Sequence, residues 1–135
     1  MDVTLVAFSE ALESFVYLTS LDMAELANKL DSRIIDGLEN GKAQKFEYTL
    51  ELCWKAIKVA LKEREGIDEA SPKKVIKAWY LAGNLQEDDY LSLIAAVDDR
   101  NKLSHVYDPE EFMAIIRRLP KYADLMRRVH ATLLE

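Results

Sequence analysis

Glycine, proline, histidine and cysteine are all scarce in this sequence. Its 135 residues include four glycines, three prolines, two histidines and one cysteine. So few turn-forming residues predict long helices joined by few tight turns. The single cysteine, Cys53, has no partner for a disulfide within the chain and is expected to be a buried, reduced thiol. One cysteine and two widely separated histidines also argue against a metal site, and we expect no cofactor.

The sequence also lacks a long hydrophobic run. No stretch of 18 apolar residues occurs, so no membrane-spanning helix is predicted. Residues 1–4 carry no basic charge of the kind that begins a signal peptide. Together with the reduced cysteine, these features predict a soluble cytoplasmic protein. A hydrophobic share of 50% over 135 residues is sufficient for one folded domain, residues 1–135.

Net charge is −6, which argues against a general nucleic-acid coat protein. The charge is distributed unevenly along the chain. Residues 1–99 contain 11 Lys/Arg and 19 Asp/Glu, whereas residues 100–130 contain seven Lys/Arg and four Asp/Glu. This asymmetry is compatible with a local phosphate-binding site, and a solvated basic helix face explains it nearly as well.

The first half of the chain predicts two long helices. Residues 3–29 carry apolar side chains at helical spacing, and Asp31 or Ser32 is placed to cap a second helix. Gly37 and Gly41 are expected to bend or break that helix. Its inner face is predicted to comprise the apolar residues Ile34, Ile35, Leu38, Phe46, Leu50, Cys53, Trp54, Ile57 and Leu61.

The second half predicts shorter helices, because helix-start signals recur at close intervals. Ser71-Pro72 and Asp108-Pro109 each combine a cap with proline at the first helical position, and another helix begins near Asp88. Pro120 is expected to kink the last helix. Strand-type alternation is absent throughout. The predicted fold class is therefore all-α, an antiparallel bundle of four to five helices with the two long ones first.

The stretch 98–108, DDRNKLSHVYD, carries the candidate site. His105 could act as general base on a ribose 2′-hydroxyl or as general acid on the leaving oxygen, and Arg100 offers a fork of donors to a phosphate. Residues five apart on an unbroken helix point about 140° from each other. Arg100 and His105 can therefore converge only if the helix ends near residue 103 or 104. The candidate substrate-binding residues are Asn101, Ser104 and Tyr107.

A purely structural interpretation explains the same stretch. Arg100 and Lys102 would neutralise the carboxyl end of a helix, and Arg100 would pair with Asp98 or Asp99. His105 would only satisfy a loop carbonyl. On the remaining chain, His130 is expected to lie on the surface, and the Glu47/Glu51 pair on a solvated helix face. A role for that pair in a groove between subunits is the less favoured alternative.

Three segments resemble a known family. Residues 44–55, QKFEYTLELCWK, resemble the "QRFEFTFELAWK" helix of the nucleotidyltransferase substrate-binding protein family. Residues 71–76, SPKKVI, resemble its "SPRxVI" helix start, and residues 99–107, DRNKLSHVY, are similar to its "DRNxxSHxY" signature. This family belongs to the HEPN superfamily, whose hallmark R-x4-6-H reads here as Arg100-x4-His105.

The resemblance implies a small HEPN-like helical bundle that forms a homodimer and pairs with a separate minimal nucleotidyltransferase. In toxic members of toxin–antitoxin modules, the arginine and histidine act as a metal-independent endoribonuclease, with two copies meeting across the dimer. The motif tyrosine, here Tyr107, is the position that the partner antitoxin can adenylylate. Other members are non-catalytic subunits that bind a nucleotide or substrate, so an RNA or nucleotide ligand is expected in either case.

A homodimer would also bury an excess of aromatic residues on the second helix, namely Phe46, Tyr48 and Trp54, if the monomer core does not use them. A third hypothesis remains beside the ribonuclease and the binding subunit. The protein would then be a plain helical interaction module in which Arg100 and His105 have lost their function.

Overall fold

The computed structural model describes all 135 residues, and every regular element in it is a helix. In chain order these are α1 (Val3–Thr19), α2 (Met23–Ala27), α3 (Ser32–Glu65), α4 (Pro72–Leu81), α5 (Glu87–Leu103) and α6 (Pro109–Leu134). The predicted all-α class is confirmed. There are six helices rather than four to five, because α2 is separate. None of them is long and apolar enough to cross a membrane.

The predicted helix over residues 3–29 is interrupted after Thr19. Thr19 and Ser20 donate their hydroxyls to the carbonyls of Val16 and Tyr17. Asp22 then caps α2 by accepting from the backbone N–H of Glu25. Short polar side chains compete in this way with the helical hydrogen bonds, and this ends α1.

Helix α3 runs 34 residues without a break. Asp31 caps it, and Gly66 ends it in the left-handed conformation at φ 68°. The predicted break at Gly37 and Gly41 does not occur, because each glycine costs a helix only about 1 kcal/mol. The inward placement of Ile34 is wrong, since this residue is 52% exposed near the start of the helix.

The core forms around α3, which contacts all five other helices. Phe46 stacks on Tyr122 of α6 and packs against Phe15 of α1. Phe46 and Trp54 are both buried in the monomer, so they are not free to form a dimer interface. Of the three aromatic residues proposed for that role, only Tyr48 is exposed.

Helix α6 continues through Pro120 as a single element and packs against α1 at its far end. There the imidazole of His130 hydrogen-bonds to Ser9 and lies edge-on to the ring of Phe8. His130 is therefore half-buried and in contact with α1, not a surface residue without partners. An amphipathic pattern by itself did not reveal that α1 covers this part of α6.

Candidate active site at the end of helix α5

Helix α5 ends where the site hypothesis requires. Its last residue is Leu103, and Ser104 is the C-cap. The backbone N–H of His105 donates to the carbonyl of Lys102 at 2.8 Å, which closes a final turn. Asp108 then caps α6 by accepting from the N–H of Glu110. His105 thus lies in a short connection between two capped helices, outside the helical register of Arg100.

The last turn of α5 is fixed to α6 by Asp99. This residue is 4% exposed, and its carboxylate accepts hydrogen bonds from Arg118 Nε and Nη2, each at 2.8 Å. It also accepts from the Tyr122 hydroxyl at 2.6 Å. Burial alone would raise the pKa of Asp99, but the bonds from Arg118 and Tyr122 outweigh burial and lower it. Burial and the Asp99 carboxylate raise the pKa of Tyr122.

Arg100 is turned toward α3 rather than toward the neighbouring acids. Its Nη2 atom lies 2.7 Å from Glu51 Oε2, whereas Asp98 pairs with Lys73 and Asp99 with Arg118. The pairing of Arg100 with Asp98 or Asp99 is therefore wrong. Successive residues of an α-helix point about 100° apart, so Asp98 and Asp99 lie on other faces of α5 than Arg100 does.

Glu51 was predicted to lie on a solvated helix face, but its carboxylate is paired within the chain. Its carboxylate accepts from Trp54 Nε1 at 3.1 Å and pairs with Lys55 at 3.2 Å, in addition to Arg100. Burial raises its pKa, but these three partners lower it overall. Glu51 is not a simple solvated side chain. The sequence feature that could have identified Glu51 is its position within residues 44–55, the segment that resembles the family helix.

His105 lines an open groove of about 450 Å³. The other residues that line this groove are Asp98, Asn101, Lys102, Val106 and Glu111. Arg100 does not line this groove, and its guanidinium faces Glu51 instead. Asn101 joins His105 in the groove, whereas Ser104 and Tyr107 do not line it.

Four candidate residues present free polar groups to solvent. The side chains of Asn101, Ser104, His105 and Tyr107 are exposed and make no hydrogen bond within the chain. Tyr107 is the extreme case, with 92% of its surface exposed. An exposed aromatic residue that contributes nothing to the core leaves its hydroxyl accessible to another molecule. The structure contains no group of three or more His, Cys, Asp or Glu side chains placed to hold a metal ion.

The sequence matches the family model described as "Nucleotidyltransferase substrate binding protein like" over residues 7–135. No curated protein matches it. A crystal structure from Thermus thermophilus is 34% identical, with a TM-score of 0.81, and the alignment covers 95% of this chain and 99% of that one.

Two further solved structures share the fold at lower identity. A Haemophilus influenzae protein, described as revealing the fold of a substrate binding domain of a nucleotidyltransferase, is 23% identical with a TM-score of 0.81. The alignment covers 97% of this chain and 99% of that one. The tri-AMPylated Shewanella oneidensis HEPN toxin, in complex with MNT antitoxin, is 9% identical with a TM-score of 0.75. That alignment covers 99% of this chain and 98% of the toxin.

Proposed function

The chain belongs to the nucleotidyltransferase substrate-binding protein-like family, and from this premise we propose that it is a HEPN-type endoribonuclease paired with a separate minimal nucleotidyltransferase. The observation that carries the ribonuclease proposal is the end of α5 at Leu103. It leaves His105 exposed just beyond the helix, while Asp99 and Glu51 hold the last turn and Arg100 in place. A fixed cation and an accessible imidazole are the two groups that phosphodiester cleavage needs.

The proposed reaction is an attack within the RNA chain. The His105 imidazole takes the proton of a ribose 2′-hydroxyl, and that oxygen forms a bond to the adjacent phosphorus. The bond from phosphorus to the 5′-oxygen breaks, and this leaving oxygen takes a proton from a second imidazole, which is in its protonated form. The Arg100 N–H groups not directed at Glu51 donate to the non-bridging oxygens as charge develops. The products are a 2′,3′-cyclic phosphate and a 5′-hydroxyl end.

The second imidazole is proposed to come from another copy of the chain. In one copy Arg100 does not line the groove at His105, and the proposed two-fold axis brings two of each residue together. Tyr48, 54% exposed and one turn before Glu51 on α3, is available for such an interface. We expect a homodimer in light scattering, and a monomer at every concentration would count against the composite site.

A second candidate function is a non-catalytic subunit that binds a nucleotide or other substrate for the transferase. The specific observation in its favour is the 2.7 Å ion pair between Arg100 and Glu51. A guanidinium that already faces a carboxylate is a weaker phosphate clamp, since ligand and carboxylate compete for it. Under this alternative, Asn101 and Ser104 would contact the ligand through their exposed polar groups, and no RNA would be cut.

Cleavage of a mixed RNA pool in EDTA distinguishes the two candidates. Wild type should leave 2′,3′-cyclic phosphate ends, and His105→Ala and Arg100→Ala should each abolish the products. Lys77→Ala, an exposed lysine on α4, is the control that should cleave like wild type. Equal behaviour of wild type and His105→Ala would refute the ribonuclease. Weaker nucleotide binding by Arg100→Ala, with no cleavage by any protein, would then favour the binding subunit.

The partner nucleotidyltransferase is proposed to act as antitoxin by adenylylating Tyr107. The 92% exposure of this tyrosine, in the segment that joins α5 to α6, supports the assignment. Incubation with the transferase and ATP should add AMP to the chain, detected as an increase in intact mass. Tyr107→Phe should remove the site, whereas Tyr48→Phe should be modified normally. Undiminished modification of Tyr107→Phe would place the acceptor elsewhere.

A further inference from the structure

The exposed side of α6 concentrates positive charge in an acidic protein. Residues 117–128 contain five of the 18 Lys/Arg residues of the chain and only one acidic residue. We call the five the basic stripe: Arg117, Arg118, Lys121, Arg127 and Arg128. The whole chain has a net charge of −6, whereas this segment is strongly positive.

Two members of the basic stripe have acidic partners on α5 and three do not. Arg118 binds Asp99, and Arg128 pairs with Asp89 at 2.9 Å. The other three, Arg117, Lys121 and Arg127, are exposed and form no ion pair within the chain. The two pairs fix the helix to the bundle, and the three remaining cations face outward without neutralisation.

Three members of the basic stripe lie on one side of the helix, whereas Arg118 points about 100° to one side of Arg117 and Arg127 about 80° to the other. At about 100° per residue, Arg117, Lys121 and Arg128 lie within roughly 40° of one another. At about 1.5 Å per residue they span roughly 16 Å of helix. Arg128 is paired with Asp89 and Asp124 lies on the same side, so Arg117 and Lys121, one turn apart, are the two unpaired cations that successive phosphates of a linear polyanion can meet.

The basic stripe begins beside the candidate active site. Arg118 holds Asp99, the residue immediately before Arg100. Lys102 lines the groove with His105 and lies close enough to Asp99 to help lower its pKa. Lys102 is thus the cation that lies between the His105 groove and α6, in a groove that Asp98 and Glu111 also line.

We propose that the basic stripe binds the phosphates of single-stranded RNA and leads the strand into the groove at His105. This inference rests on the proposed ribonuclease function and names the surface that receives its substrate. A nucleic-acid backbone fits better than an acidic protein, because protein interfaces bury apolar residues at their centre. The only large hydrophobic residue exposed on α6 is Leu134, beyond the stripe. Phosphate contacts require cations and no apolar neighbours.

Salt-dependent binding of a labelled single-stranded oligouridylate tests the proposal, measured by fluorescence anisotropy in EDTA with His105→Ala as the parent. Each phosphate contact with single-stranded nucleic acid contributes about 0.7 to the slope of log affinity against log salt. Adding Arg117→Gln and Lys121→Gln should therefore lower the slope by about 1.4 and weaken binding roughly 25-fold at 0.1 M salt. The control adds Lys74→Gln and Lys77→Gln, two exposed lysines on α4, which changes the net charge equally.

The possible results distinguish failure of the RNA-binding proposal from failure of the proposed ribonuclease activity. A loss confined to the α6 double variant supports the basic stripe, even if wild type proves unable to cut RNA. Equal losses in both double variants would mean a general charge effect and would overturn the proposal. No RNA binding by the parent would also overturn it. Unchanged RNA binding with lost capture of the partner transferase would assign the stripe to a protein interface instead.

Discussion

Replacement of Asp99 by asparagine perturbs the contact that holds the end of α5 against α6. The carboxylate, with 6% of its side chain exposed, accepts three hydrogen bonds from Arg118 and Tyr122. Hydrogen bonds to a charged group contribute about 1.5–3 kcal/mol each, and an asparagine amide cannot accept from all three donors. Arg118 is 45% exposed and can regain water, which limits the loss. We expect the free energy of unfolding to fall by about 3 kcal/mol.

Asp98→Asn is the matched control, since it makes the same chemical change one residue earlier. Asp98 pairs with Lys73 at 2.6 Å, but the two side chains are 46% and 51% exposed. Exposed ion pairs contribute about 0–1 kcal/mol. Urea unfolding at pH 7, followed by far-UV circular dichroism, should therefore separate the two variants by about 2 kcal/mol. Similar losses in both, or a loss below about 1 kcal/mol for Asp99→Asn, would refute the reasoning.

Wild type and Asp99→Asn should also differ in their dependence on pH. The folded pKa of Asp99 lies below that of an unfolded aspartate, about 3.9. Its stabilising contribution is therefore complete above about pH 3.9 and is lost as the pH falls through the folded pKa. Wild type should lose more stability than Asp99→Asn on acidification below about pH 4. An unfolding free-energy difference that stays constant down to about pH 2 would contradict the assignment.

Individual contacts give three further predictions. Glu51→Gln removes the charge that pairs with Arg100 and should lower RNA cleavage about tenfold, with a loss of under about 1 kcal/mol in the free energy of unfolding. The control, Glu47→Gln, should change neither RNA cleavage nor the free energy of unfolding. Cys53 is fully buried, which raises the pKa of its thiol to about 12. Iodoacetamide at pH 8 should therefore label it only in urea. Rapid labelling of the native protein would contradict its burial. Gly37→Ala meets no neighbouring atom in α3 and should raise the unfolding free energy by about 0.5–1 kcal/mol in a urea titration, with unchanged or lower stability as the contrary result.

The limits of most helices could be predicted from the sequence because they depend on residues next to them in the chain. Asp31 and Asp108 begin helices as expected, since a capping side chain acts within a few residues. The break after Thr19 was missed because Ser20 and Asp22 oppose an apolar pattern that continues to residue 30. The apolar periodicity predicts that the helix continues, whereas the polar side chains favour its end because they compete for the backbone hydrogen bonds. In the structure the helix ends.

The candidate site was found from the sequence as a set of residue types, but its arrangement was not. Arg100, Asn101, Ser104, His105 and Tyr107 lie within eight consecutive positions, so their proximity needed no fold. The exposed state of the last four is consistent with their polar and aromatic chemistry at a helix end. Which of them carries out a function stays a prediction.

Periodicity, motifs and caps are local properties of the chain, and they were sufficient to establish the helical class and the family resemblance. The folded structure was needed to show that Arg100 faces Glu51 on α3 and that Arg118 and Tyr122 of α6 hold Asp99. These partners lie far apart in sequence, and an acidic residue has many possible cationic partners. The choice among them depends on which helix faces meet, and burial of the shared core sets those faces.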